Sequence, residues 1–315
     1  MSVLVTGADG FIGQMLCRLL VGHGFPLRTA VRFSGGTQPA QQVVVGDIHG
    51  QTEWSEALVG VAAVVHLAAH VHARGTNEDQ DDLYFQVNTE GTLNLARQAA
   101  AVGVRRLIFV STIKVLGEGR EEPYSEVDNP QPQDAYGLSK LRAEEGLRQI
   151  AAETGLEVCI LRPPLVYGPG VRANFLQLLR WVDRGVPLPL AAVTNRRSLV
   201  AVGNLVDAII TCIDHPAAGN ATFHVADGVP VSTPELIRKM SVALGRTPRL
   251  WPLPMTWLRA AARTTGQTER YERLAGSLAV DDSLIRARLG WRPPQSMEEA
   301  LTETVAVYRA GRRAG

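Results

Sequence analysis

The chain has 315 residues, 32 Lys and Arg against 31 Asp and Glu, a formal net charge of +1 and 45% apolar residues. That length accommodates a large α/β domain with a smaller partner, and the dispersed, balanced charge excludes a nucleic-acid binder. Cys17, Cys159 and Cys212 lie far apart inside apolar segments, where cysteine behaves as a small hydrophobe. Neither disulfides nor a metal site are expected. Met1 runs almost directly into an apolar run, and no stretch is long enough to span a bilayer. We therefore expect no signal peptide, no integral membrane segment and a cytoplasmic location.

Val3-Leu4-Val5 is a strand, followed by Thr6-Gly7-Ala8-Asp9-Gly10-Phe11-Ile12-Gly13 and a helix from Phe11 to Leu20. A glycine turn between strand and helix suits a dinucleotide diphosphate. Gly7 permits the change of direction, Gly10 admits a phosphate close to the backbone, and Gly13 lets the helix pack on the sheet. The free N–H groups and dipole of the helix then face the anion. Pro26 to Phe33 is a second strand ending in Val31-Arg32, with Gly35-Gly36 behind it. The carboxylate that would hold both ribose hydroxyls of NAD is missing there. Arg32, with Arg28 and Thr29 nearby, points to the 2′-phosphate of NADP; the alternative is a solvated surface arginine. Gln42 to Val45 is a third strand, and Asp47-Ile48 follows at the adenine edge, unless Asp47 only caps a turn. Val61 to Leu67 is a fourth strand, apolar throughout as a buried parallel strand should be. Ala68-Ala69 are small enough for a cofactor to lie against them. His70 and His72 lack the further ligand that a metal would need and are assigned to the pocket or surface.

Asp79 to Ala101 carries one long helical pattern with Asn88 facing inward, and Arg105 to Val110 is the fifth strand, with Ser111-Thr112 at its carboxyl end. Open α/β sheets place their chemistry at that edge. After a loop through Pro123, Pro130 and Pro132, the run Asp134-Ala135-Tyr136-Gly137-Leu138-Ser139-Lys140 opens a helix. Tyr136 and Lys140, four apart, share one helical face. A nearby ammonium favours the phenolate. Lys140, a bound nicotinamide cation and burial geometry are expected together to lower the phenol, at about 1.4 kcal/mol per unit. Tyr136 then exchanges a proton with a substrate oxygen that Thr112 orients, and Lys140 also reaches the nicotinamide ribose.

These residues resemble the extended short-chain dehydrogenases/reductases, and within them the nucleotide-sugar epimerases and reductases. The likeness spans essentially the whole chain. It rests on Thr6-Gly7-x-x-Gly10-Phe11-Ile12-Gly13, His66-Leu67-Ala68-Ala69, Asn88-x-x-Gly91-Thr92, Ser111-Thr112, Tyr136-x-x-x-Lys140, and Leu161-Arg162-Pro163 followed by Val166-Tyr167-Gly168-Pro169-Gly170. The resemblance implies a Rossmann-type doubly wound parallel sheet, a Thr112-Tyr136-Lys140 triad and a smaller mixed C-terminal domain over the nucleotide sugar. The expected division is 1–166 with 197–225 for the cofactor, and 167–196 with 226–315 for the sugar. Expected cofactor contacts are Gly7, Gly10, Phe11, Ile12, Arg32, Asp47, Ile48, Leu67, Ala68, Ala69, Tyr136, Lys140 and Pro163. A homodimer through the helices around Asn88 and Tyr136 is also implied. The nearer likeness, carried by Ser111-Thr112-Ile113-Lys114-Val115, is to bacterial reductases that turn a UDP-4-keto-6-deoxy-N-acetylhexosamine into UDP-N-acetylquinovosamine for surface polysaccharide such as lipopolysaccharide. Leu116 departs from a tyrosine common in the family, and Lys114 is unusual.

In the second half, Asn174 to Arg184 is a helix, and Arg197-Ser198-Leu199-Val200 begins a strand. By resemblance Asn174, beside Arg172, and Arg197 meet the substrate diphosphate, with Ser111 and Lys114 also on the substrate side; a surface charge is the alternative for either arginine. Ala201 and Asn204 replace the family's usual residues. Leu205 to Ile213 is a helix, Ala221 to Val225 returns a strand to the main sheet, and Ser232-Thr233-Pro234-Glu235 starts another helix. Leu250 to Arg263, with Trp251 and Trp257, has the composition of a membrane-surface helix, but Pro252 and Pro254 shorten its apolar face and we expect a pocket lid or domain packing. Arg270 and Arg273 are candidates for the uridine diphosphate side. Asp281-Asp282-Ser283 begins a helix ended by Leu289-Gly290-Trp291, and Met297 to Tyr308 is the last. The expected function is NADP(H)-dependent reduction of the C4 keto group of a UDP-linked 4-keto-6-deoxy-N-acetylhexosamine, with NAD(H) as the other cofactor. A UDP-hexosamine 4-epimerase is the first alternative, and a non-catalytic nucleotide sensor the second.

Overall fold

The computed structural model describes residues 2–35, 41–71, 78–266 and 268–313. Gly36 and His72 lie outside the described residues, as do the side chains of Arg270 and Arg273.

Strands buried on both faces need near-continuous apolar runs. Most of the main sheet meets that need: Ser2–Thr6 (β1), Leu27–Val31 (β2), Gln41–Val44 (β3), Val61–His66 (β4), Arg106–Val110 (β5) and Glu157–Arg162 (β6). Leu165–Tyr167 (β7) and Leu199–Ala201 (β8) pair as a separate two-stranded sheet, and Ala221–His224 (β9) rejoins the main one. The main sheet is a seven-stranded Rossmann-type array in the order β3-β2-β1-β4-β5-β6-β9, with every pairing parallel. Chain direction across the sheet reverses between β1 and β4, so a crevice opens at their carboxyl ends. Thr6 pairs with His66, which sets the glycine turn directly beside Leu67-Ala68-Ala69.

Successive strand residues face opposite sides, and each side has its own helices. Val3, Val5, Val65, Ile108 and Val110 pack with Leu16 and Leu20 of the Phe11–Gly22 helix and with Leu205 and Ile209 of the Val202–Asp214 helix. Leu4, Val64, Leu107 and Phe109 pack with Leu95 of the Thr92–Ala101 helix and with Ala143 and Leu147 of the Ala135–Thr154 helix. A third cluster joins Tyr167, Phe175 and Leu179 to Leu236, Met240 and Leu301 from the C-terminal helices. Cys17, Cys159 and Cys212 are buried as free thiols. Among the described residues no helix is long and apolar enough to cross a membrane, and no group of three His, Cys, Asp or Glu side chains could hold a metal.

Three expectations change. The pattern from Asp79 to Ala101 is not one regular helix: Glu78–Tyr84 and Thr92–Ala101 flank a π-helical stretch, Phe85–Gly91. Asn88 sits in this wider turn with its amide turned inward, a common use of π-turns near functional sites. The segment after Leu250 becomes helical only at Met255, past Pro252 and Pro254, because proline lacks the N–H and clashes with a preceding turn. Leu250 and Trp251 instead pair with Leu188: Leu188 N donates to Arg249 O (2.8 Å) and Trp251 N to Leu188 O (2.9 Å). Arg197 precedes β8 and pairs through single bridges with Val231 and Leu278.

The tightest packing constraint is Gly13. A Cβ there would lie 2.2 Å from Gly7 O and 2.7 Å from Ala8 Cα, both backbone. Gly13→Ala should lower unfolding free energy by about 1–3 kcal/mol, read as an earlier urea midpoint with an unchanged slope. A neutral result would show that the turn yields freely.

Candidate active site

The first requirement is a place for an anion. Gly7 has φ +69°, in the left-handed region, and a Cβ on it would sit 2.8 Å from Ala68 N; any side chain there would fill the crevice between the two loops. Ala68 N in turn donates to Thr6 Oγ1 (3.2 Å). Gly10 N bonds to Gly7 O (3.0 Å), closing the turn, and Gly10 precedes the helix with no side chain capping it. The amides of Phe11 and Ile12 therefore open the helix toward the crevice. This cradle fits a dinucleotide diphosphate.

At the adenosine end, Arg32 Nε lies 2.7 Å from Asp47 Oδ1, both side chains being well exposed. The residues that follow β2 and β3 thus meet, and Arg32 is a solvated side chain paired with a carboxylate. Arg28 is elsewhere: near the start of β2, its guanidinium donates to Ala57 O (3.1 Å) and Gln41 Oε1 (3.1 Å). Thr29 is buried, which leaves Arg32 alone of the three at the carboxyl edge. Ile48 packs against the Asn88 turn, where a Cβ on Gly91 would lie 2.5 Å from its Cγ2.

The catalytic candidates are joined by three contacts between the end of β5 and the helix that carries Tyr136. Asp134 caps that helix, accepting from Gly137 N (2.7 Å), and pairs with Lys114 Nζ (2.7 Å). Lys140 Nζ donates to Val110 O (2.9 Å) and lies 4.4 Å from the Phe109 ring centroid. Ser111 Oγ donates to Glu144 Oε1 (2.6 Å). Residues 134, 140 and 144 are thereby tied to residues 114, 110 and 111. Thr112 belongs to the first of these segments, where its Oγ1 accepts from Lys114 N (3.3 Å), and Tyr136 to the second. The Tyr136 ring meets Tyr84 edge-on at 6.0 Å, and Tyr84 meets His70 at 5.0 Å. Asn88 secures the wall behind: its Oδ1 accepts from His70 N (2.8 Å) and its Nδ2 donates to His70 O (3.0 Å) and Ser139 Oγ (3.1 Å).

Electrostatics here run against one expectation. Burial, with smaller contributions from Asp134 and Tyr84, pushes the Tyr136 phenol up, and Lys140 does not lower it. The reason is Lys140 itself: burial lowers its ammonium from 10.5 to about 7 against the pull of Glu144, and its Nζ is turned to a backbone carbonyl. His66, held between Thr6 Oγ1 (2.7 Å) and Thr92 Oγ1 (3.0 Å), is lowered by burial to about 3 and is a neutral core residue.

On the substrate side, Ser111 has its hydroxyl turned inward to Glu144, away from the role expected of it, and Glu144 also binds Arg162 through Nε (2.9 Å) and Nη2 (2.6 Å). Lys114 is partly exposed and paired with Glu118 (3.0 Å) as well as Asp134; burial works against its ammonium, but these carboxylates outweigh it and hold the group above the usual lysine range. Arg197 is half-buried and donates to Gly276 O (2.8 Å); burial lowers its guanidinium, against a smaller opposing pull from Glu118. Asn174 and Arg172 are exposed at the start of the Ala173–Asp183 helix. Asn204 is structural: with Tyr167 Oη (2.8 Å) and Ala201 N it surrounds Asp227. Leu116 is buried with Tyr124 and Leu141. Glu144 and Glu118 escaped sequence reasoning, although each stands four residues after a named lysine on a helix or helical turn, a spacing that signals contact.

The family model for the NAD dependent epimerase/dehydratase family matches residues 3–226. A Vibrio cholerae protein named UDP-glucose 4-epimerase is 42% identical over 312 residues, covering 98% of this chain and 95% of that one. An Escherichia coli O157:H7 protein named N-acetyl-alpha-D-glucosaminyl-diphospho-ditrans,octacis-undecaprenol 4-epimerase is 30% identical over 255 residues, 78% of this chain and 73% of its own. Among solved structures, MoeE5 in complex with UDP-glucose and NAD superposes with a TM-score of 0.81 at 27% identity, covering 99% of this chain and 100% of that one. The glycine cradle, the Tyr136–Lys140 helix and these likenesses lead to one conclusion: the chain is an enzyme of the NAD dependent epimerase/dehydratase family, within the extended short-chain dehydrogenases/reductases.

Proposed function

We propose that the chain reduces the C4 keto group of a UDP-linked 4-keto-6-deoxy-N-acetylhexosamine, drawing on NADPH. Two observations support this reading: three contacts tie residues 110–114 at the carboxyl end of β5 to residues 134–144, the segments that carry Thr112, Tyr136 and Lys140, and Arg32 stands after β2 where a carboxylate would hold NAD. A bound nicotinamide cofactor would supply the hydride. Gly7, Gly10, Phe11 and Ile12 would hold its diphosphate, Leu67, Ala68 and Ala69 the opposite wall, Arg32, Asp47 and Ile48 the adenosine end, and Pro163, Tyr136 and Lys140 the reacting end. Tyr136 donates the proton to the C4 oxygen, and Thr112 orients that oxygen by a hydrogen bond. Burial keeps the phenol protonated, the form that serves as acid when a ketone becomes an alcohol. Lys140, whose ammonium burial lowers to about 7, stands one helical turn away to carry the charge that develops when Tyr136 gives up its proton. Lys114 and Arg197 would meet the anionic part of the nucleotide sugar, with Asn174 at the same end. The cofactor half comprises 1–166 and 197–225, and the sugar half 167–196 and 226–315.

NADPH is favoured over NADH because β2 ends in an arginine rather than a carboxylate, although Asp47 competes for its guanidinium. A second reading, a UDP-hexosamine 4-epimerase with the same triad, is favoured by the names of the Vibrio cholerae and Escherichia coli relatives. Incubation with UDP-N-acetylglucosamine and no added cofactor separates the two: galacto isomer supports the epimerase, whereas its absence together with NADPH oxidation by the 4-keto sugar supports the reductase.

Tyr136→Phe should lose about 10²–10⁴-fold in turnover with cofactor affinity retained; unchanged turnover would remove Tyr136 from the chemistry. Arg32→Ala should raise KM for NADPH about ten- to a hundredfold with little effect on NADH, and equal effects on both cofactors would assign Arg32 to packing. For Lys140, the unfolded chain keeps its proton up to 10.5 and the folded chain loses it near 7. This contribution to stability is fully present above 10.5 and is lost as pH falls through about 7. Lys140→Met should flatten that pH dependence of the melting temperature and abolish turnover; a variant retaining the wild-type profile would place the titration elsewhere.

A further inference from the structure

Residues 244–266 contain Arg246, Arg249, Arg259 and Arg263, two tryptophans and no acidic residue, in a chain whose total formal charge is +1. The remainder of the chain is therefore net negative, which sets this stretch apart in sign. Its two parts are fixed differently. Arg249 to Trp251 pair by backbone with Leu188 and Ala191, and Met255 to Thr264 is a helix whose Met255 and Leu258 pack against the third apolar cluster. With 3.6 residues per turn, those inward positions turn Trp257 and Ala260 outward and run Arg259 and Arg263, four apart, along one flank.

Met255 and Leu258 supply the domain packing expected of this stretch, but its two tryptophans take no part in it. Trp251 is 64% exposed and Trp257 69% exposed. Arg249, Arg259 and Arg263 have no ion pair with a described residue, and Arg246 lies 3.6 Å from Asp183. Indole rings gain most where an apolar layer meets water and polar headgroups, and arginine beside them gains from phosphate charge. We propose that this face docks on the surface of an anionic lipid bilayer, with Trp251 and Trp257 entering the headgroup region and the arginines meeting lipid phosphates. Charge complementarity decides the occupant: a strip of unopposed arginines repels a second identical copy, and a neutral apolar partner leaves them unpaired.

The test is sedimentation of the full chain with vesicles of phosphatidylcholine alone or mixed with phosphatidylglycerol. Binding to the mixed vesicles only, with a blue shift of tryptophan emission and release by salt, is the expected result. Arg259→Gln with Arg263→Gln should weaken it about thirtyfold, and Trp251→Ser with Trp257→Ser should remove the blue shift. The lipid-charge and salt dependence of the unmodified protein carry the test even where a variant fails to fold. No binding to phosphatidylglycerol vesicles at low ionic strength would overturn the proposal. So would a blue shift on adding UDP-sugar without vesicles, which would make the segment a lid, or conversion of a dimer to monomer by the tryptophan substitutions, which would make it a subunit interface.

Discussion

The structure of the site depends on one buried charge and what it takes to hold it. Lys140 is 2% exposed, and an ammonium taken out of water persists only with hydrogen bonds and an opposite charge close by. Val110 O supplies the first and Glu144, one turn further along the helix, the second. Glu144 is itself fully buried; burial works to raise its carboxyl, but Arg162 above all, with Ser111 and Arg148, holds it below the ordinary range. Arg162 closes β6 and Ser111 follows β5. Holding one lysine thus ties two strand ends to one helix, and Thr112 and Tyr136 are positioned as a result.

The same ties explain what was legible beforehand. Buried parallel strands announce themselves as apolar runs, so β1, β2, β3, β4, β5 and β9 lie within a residue or two of their expected places. The glycine turn and the Tyr136–Lys140 spacing are local, and local spacing survives in sequence. Partners distant in sequence do not. Nothing near Lys114 announces Asp134, twenty residues on, which pairs with it; nothing near Arg32 announces that Asp47 closes on it. The Tyr136 phenol is raised in the protein alone, whereas the lowering expected of it also invokes a bound nicotinamide cation. A lysine four residues away suggests a lowered phenol, but burial acts on both groups and weakens the lysine's charge before it can act. The π-turn at Phe85–Gly91 hid inside a helical pattern because its one wide turn leaves the apolar spacing on either side intact.

Reduction and epimerisation use one set of residues, since both move hydride at C4 and a proton at its oxygen. They differ in whether the cofactor exchanges with the bulk pool, and the preference for NADPH that would go with exchange is proposed to be read at the adenosine end. There the chain presents an exposed arginine–aspartate pair, worth little to stability and open to rearrangement by a phosphate. The proposed catalytic end is buried around Lys140, whereas the Arg32–Asp47 pair is solvated.

The most direct measurement of the central claim is isotope transfer. NADPH deuterated on the transferable face of its nicotinamide should place deuterium on sugar C4 of the product, seen by NMR, while the new hydroxyl takes its proton from solvent by way of Tyr136. A product whose C4 carries only protium would contradict direct hydride transfer at this carbon and with it the role assigned to the Thr112, Tyr136 and Lys140 constellation.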